Sequence, residues 1–214
     1  MTSATIDRFL KGIGCNMLAA PPHAHFPEEC LIELSNSILN DPKALVLTIG
    51  AIQRHSGLLH PEILLKLLKL RHNDPNVIGS LLLKTKDRRF TKTIQYCRET
   101  KFKSKLPTNV LVLATKIGQA DFDSEFALFG IKITKMDPVN EKKITTREAW
   151  AENNIFIRNR ILYGCNWRAD VISAIESGYD NPTAIKNRIH CSYETAHRVH
   201  KDYLTIQKIE NSVA

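Results

Sequence analysis

The chain has 214 residues, 43% hydrophobic and 24% charged, with a formal net charge of +8. That length means one large domain or two small ones, with enough apolar side chains for a buried core. Nine glycines and nine prolines are too few for a disordered or fibrous chain. The positive excess favours an acidic partner, either nucleic acid or an anionic membrane surface.

No run of about 18 apolar residues occurs, so no membrane span is expected. The start, MTSATIDRFLKGIGCNMLAAPP, places Lys11 inside what would be an apolar core and reads as no signal peptide. Five cysteines, an odd number without a C-x-x-C pair, fit free thiols in a reducing cytoplasm better than a zinc ribbon.

In chain order, residues 1–25 are mixed and end in the helix-breaking PPHAHFP. From Pro27 to about Glu99 the pattern is helical. PEECLIELSNSIL sets Leu31, Leu34, Ile38 and Leu39 near one face. DPKALVLTIGAIQRH opens with Asp41 as a cap and Pro42 at the first helical position. HPEILLKLLKLRH and DPNVIGSLLLK repeat that x-Pro start at Pro61 and at Asp74–Pro75, and RRFTKTIQYCRET follows. The units differ in length and share no motif, so an irregular helical bundle is expected rather than a repeat array. NVLVLATKIGQA reads equally as a strand or a buried helix, and one short strand is expected near Gly130–Thr134.

A domain boundary is expected in the polar stretch 137–150. It gives a helical N-terminal domain, 1–145, and a C-terminal domain, 146–214. The latter carries four helical patterns: NIFIRNRILYG, NWRADVISAIESG, and a closely spaced pair within NPTAIKNRIHCSYETAHRVHKDYL.

In that pair Asn181 caps, Pro182 starts, and Ile185 and Ile189 form an apolar stripe. His190 and Cys191 turn the chain, and Ser192 caps the second helix. Ala196, Val199 and Tyr203 share one face of it. The opposite face holds Glu194, His197, Arg198 and Lys201, with Tyr193 leading. Donors, charges and an aromatic on one helix face suit the DNA major groove, which admits a helix and offers acceptors to Arg and Lys.

The stretch TAIKNRIHCSYETAHRVHKDYL resembles the helix-turn-helix of winged-helix DNA-binding proteins, the class containing MarR- and ArsR-like regulators. Ile185, Ser192 and Ala196 match the first-helix apolar residue, the cap and the small packing residue, and Tyr203 takes a position commonly held by Leu. His190 stands where glycine is common and Lys186 where alanine is usual. Ten residues follow Leu204, and LTIQKI is expected to supply one strand of a wing at most. The resemblance implies a mainly α fold, a C-terminal winged-helix-like domain with a short or absent wing, and a homodimer on double-stranded DNA with half-sites about one helical turn apart.

Positive charge concentrates elsewhere. Residues 151–214 hold eight Lys and Arg against seven Asp and Glu, whereas Lys84 to Lys105 holds nine basic residues and two acidic ones. Base reading is therefore expected from Tyr193, Glu194, His197, Arg198 and Lys201. Backbone contacts are expected from Lys84, Lys86, Arg88, Arg89, Lys92, Lys101, Lys103 and Lys105, with Lys186 and Ser192. A solvated basic loop with no ligand is the other reading of that segment.

His23 and His25 near Cys30 lack a fourth ligand at metal spacing and read as a polar loop. Asp121, Asp123 and Glu125 read as helix capping before FALFG rather than a magnesium site. No phosphate-loop, G-x-G-x-x-G or H-E-x-x-H pattern occurs, so neither an enzyme nor a cofactor is expected. The expected function is sequence-specific DNA binding in transcription regulation, the N-terminal domain dimerising or receiving a signal or protein partner. The alternative is a protein-interaction module, such as an antitoxin-like subunit, whose helix pair is a packing or partner surface.

Overall fold

The structure, a computed structural model, describes residues 2–19, 26–71, 75–100 and 122–213. It is mainly helical, and among the described residues the only β pairing is two isolated bridges. The chain divides into two compact units, Met1–Thr146 and Arg147–Ala214. No helix among the described residues is long and apolar enough to cross a membrane.

The first unit contains α1 (Ser3–Gly12), α2 (Pro27–Ser35), α3 (Pro42–His55), α4 (Pro61–Leu70), α5 (Pro75–Thr85), α6 (Thr91–Glu99) and the short α7 (Ser124–Ala127). Helix α1 falls in a stretch with no clear sequence pattern. Thr2 caps it, and Ile6 and Leu10, one turn apart, are its inward anchors. Asp41 accepts from the Ala44 amide at 3.0 Å, as the Asp-Pro start implied. Asp74 and the NVLVLATKIGQA segment lie outside the described residues.

Helix α5 is central, packing against α2, α3, α6 and α7. Its Ile78, Leu81 and Leu82 are fully buried, as are Leu31, Ile32 and Leu34 of α2. Gly79 makes the close approach possible, since a Cβ there would stand 2.4 Å from the Phe129 ring and 2.9 Å from the Cys97 Cβ.

The strand expected near Gly130–Thr134 is a single bridge, Phe122 to Thr134. The Ile131 amide turns back to the Phe126 carbonyl at 3.1 Å, closing the end of α7, so no ladder extends. A second bridge joins Cys15 to Ile144. It is flanked by Asn16 N–H to the Lys143 carbonyl at 2.7 Å and Thr145 N–H to the Gly14 carbonyl at 2.9 Å, tying the end of this unit to its start.

The second unit contains α8 (Arg147–Glu152), α9 (Ile155–Tyr163), α10 (Trp167–Glu176), α11 (Pro182–Ile189) and α12 (Tyr193–Val213). Asn154, Asn166 and Asn181 each cap the helix that follows. Gly178, at φ +94°, ends the α10 segment, with its own amide bonded to Ile175 and the Tyr179 amide to Ala174. LTIQKI is helical rather than a strand, so α12 runs 21 residues, about 31 Å. No glycine or proline follows Leu204 to stop it.

Candidate nucleic-acid interface

Helices α10, α11 and α12 pack on one another. Their shared core is Ala169, Val171, Ala174, Ile185, Ile189 and Ala196, all fully buried, with Val199 at its edge. The small Ala196 lets α12 approach α11 closely. His190 makes the turn in the left-handed region, φ 57° and ψ 27°, where glycine is favoured because it has no Cβ to clash. Ser192 Oγ then accepts from the Thr195 amide at 3.1 Å and bonds its hydroxyl at 2.8 Å, capping α12.

A fully buried ion pair joins α9 to α10. Arg160 Nε donates to Asp170 Oδ1 at 2.7 Å, and neither side chain is exposed. Beside it, Asn159 donates to Ser173 Oγ at 3.0 Å and to Glu176 at 2.7 Å. Sequence reading missed this scaffold. Its signal is that Arg160 and Asp170 stand at positions that helical periodicity turns inward, whereas Arg158 and Arg168 on the same helices are exposed.

The expected base-reading residues come together. Tyr193, Glu194, His197, Arg198 and Lys201 are all exposed on the first three turns of α12. At about 100° per residue, Glu194 and Lys201 lie about 180° from the mean direction of Ala196 and Val199, with the others flanking them. The Tyr193 and His197 rings stack, centroids 5.9 Å apart and planes 22° from parallel. Lys186 and Ser192 are exposed on the same helix pair.

The central basic segment is not a uniform cationic strip. Lys84 is a correction to the expected phosphate contacts. Its ammonium donates to Asp123, and to Glu125 at 3.1 Å, so its charge is neutralised within the first unit. Arg89 is likewise held, by Asp87 at 2.7 Å and by the Ser56 carbonyl at 2.6 Å. Lys86, Arg88 and Lys92 are exposed. Lys101, Lys103 and Lys105 lie outside the described residues. Asp123 also caps α7 by accepting from the Phe126 amide at 3.3 Å, so the capping reading of DFDSE holds for this residue.

The Lys84–Glu125 pair carries a pH dependence. The hydrogen bond from Lys84 holds the Glu125 carboxyl down at about 2, against an ordinary value of 4.5. For Lys84, burial acts downward, but the bonds to Asp123 and Glu125 outweigh it and the net shift is upward. A depressed carboxyl contributes stability that is present above its unfolded value and lost as pH falls towards its folded one. The contribution of Glu125 is therefore expected to disappear between about pH 4.5 and about pH 2. Glu125→Gln should flatten that limb of a thermal-melting profile, and an unchanged acid limb would count against the pair.

Among the described residues no group of three or more His, Cys, Asp or Glu side chains is placed to hold a metal ion. His23, His25 and Asp121 lie outside them. Cys15 and Cys30 are buried thiols. Desolvation raises Cys15 to about 12, and burial with the nearby Glu29, Glu28 and Glu33 raises Cys30 further. Both are held as thiols rather than reactive thiolates.

Compared with known proteins, the chain matches no family model, no curated protein and no solved structure.

Proposed function

We propose that this chain binds duplex DNA sequence-specifically, as a transcription regulator, by placing the first turns of α12 in the major groove. The observation that carries the reading is the exposed face of Tyr193, Glu194, His197, Arg198 and Lys201, directed away from the packing of α12 on α10 and α11. A helix fits a groove about 12 Å wide, and Arg and Lys donate to guanine O6 and N7 there. The C-terminal unit then acts as a winged-helix-like domain without strands of a wing. Lys86, Arg88, Lys92 and Lys186 are the candidate backbone contacts, Lys84, Arg89 and the Ser192 hydroxyl being already engaged.

Fluorescence anisotropy against random-sequence duplex at two salt concentrations tests this. Wild type is expected to bind, and to bind more weakly at the higher salt. On a duplex carrying the preferred sequence, Arg198→Ala/Lys201→Ala is expected to lose at least about tenfold in affinity, because each bidentate base contact is worth about 1–3 kcal/mol of discrimination. Arg88→Ala/Lys92→Ala should instead reduce the log–log salt slope by about 2. No binding by wild type even at low salt would overturn the reading, and so would undiminished binding by Arg198→Ala/Lys201→Ala.

One observation favours a second reading, a protein-interaction module. Ile161, Leu162 and Tyr163 on α9 and Ile206 and Ile209 on α12 are large apolar side chains left exposed. Tyr163 and Ile206 line one groove with Ile172, Val199 and Tyr203. A homodimer using this face is compatible with DNA binding. A stoichiometric protein partner with no DNA affinity would favour the module alone.

A further inference from the structure

We infer that Glu194 makes the α12 face selective for cytosine, pairing with Arg198 to read a C·G-containing step. The inference rests on the DNA-binding reading above and adds the base it selects. Glu194 is exposed, stands in the first turn of α12 and, like Lys201, lies directly opposite the buried side of the helix. The usual structural employment of an acid there is to cap the helix, but Ser192 and Thr195 already do so with each other. Arg198 lies one turn on, at the spacing that favours an ion pair, yet the two are not paired. Each is therefore available to an outside partner.

In the major groove the phosphates repel a carboxylate, so it is tolerated only where a base donates to it. The two donors there are the cytosine N4 and adenine N6 amino groups. Adenine sets the N7 acceptor beside its amino group, which repels the second carboxylate oxygen. Cytosine has no acceptor of its own at that position. Cytosine is thus the favoured partner of Glu194, and Arg198 meets the O6 and N7 acceptors of guanine. The two residues are about 6 Å apart along the helix, less than two base steps of about 3.4 Å, so they address the same or neighbouring pairs. The Tyr193–His197 stack braces the same turn.

The test is selection of the full-length chain on a random duplex library, comparing wild type with the exposed, isosteric Glu194→Gln. Wild type is expected to enrich a motif with one invariant cytosine, bound about tenfold more tightly there than the other three bases. Glutamine donates to adenine N7 and accepts from N6, so Glu194→Gln should convert that one column from cytosine to adenine and leave the rest unchanged. If wild type enriches a motif and Glu194→Gln enriches the same one, Glu194 serves the helix dipole alone. The inference then falls while DNA binding stands. If wild type enriches no motif and shows no salt-dependent binding, both fall together.

Discussion

Asp170→Ala is expected to destabilise the second unit by about 3–5 kcal/mol, the cost of leaving one member of a buried ion pair without the other. Arg160 and Asp170 are both fully buried, and the 2.7 Å bond between them is what makes the guanidinium tolerable between α9 and α10. At about 0.05–0.15 kcal/mol per residue a unit of this size has only about 3–10 kcal/mol in all, so such a loss removes a large share of its stability. The chain has two tryptophans, Trp150 and Trp167, and both belong to this unit. Urea unfolding followed by tryptophan fluorescence therefore reads it selectively. The companion variant Arg160→Met/Asp170→Leu removes both charges and should recover most of the loss, because well-packed apolar replacements of buried pairs are commonly neutral or stabilising. A change under about 1 kcal/mol in Asp170→Ala would mean the pair is not desolvated.

Gly79→Ala is expected to cost the first unit about 1–3 kcal/mol through overpacking. The added methyl meets the Phe129 ring at 2.4 Å and the Cys97 Cβ at 2.9 Å. Phe129 has two side-chain torsions, and its ring also lies under the Arg98 guanidinium, 5.9 Å from its centre. It yields less readily than a long aliphatic chain would. Gly50 is a second close approach, where a Cβ would meet Val139 Cγ1 at 2.1 Å and its Cβ at 2.8 Å, so the loop before α8 would have to shift. The measurement is thermal melting by circular dichroism of Gly79→Ala, Phe129→Leu and the pair. If the clash is the cause, the double variant should be more stable than the two single losses added together. Strict additivity would place the cost in α5 itself.

The amino-acid sequence by itself determined the helical character and the places where many helices begin and end. Asp41–Pro42 and Asn181–Pro182 start helices because a short acceptor side chain meets an unsatisfied amide and the proline ring presets φ. Gly178 stops one because it reaches positive φ without strain. The exposed face of α12 was also legible, since Ala196 and Val199 define by periodicity what lies opposite. All of these depend on residues within about four of one another.

The tertiary structure alone decided the rest. LTIQ alternates as a strand would, but a helix already running with no stop signal continues through it, and no neighbouring strand is there among the described residues to pair with it. Lys84 counts as a free cation in any sequence sum. The fold brings Asp123 and Glu125, 39 and 41 residues away, to its ammonium. Whether a charge faces solvent or a partner is a property of distance in space. Local periodicity gives a residue's direction on its helix, and only packing gives the groups it meets there.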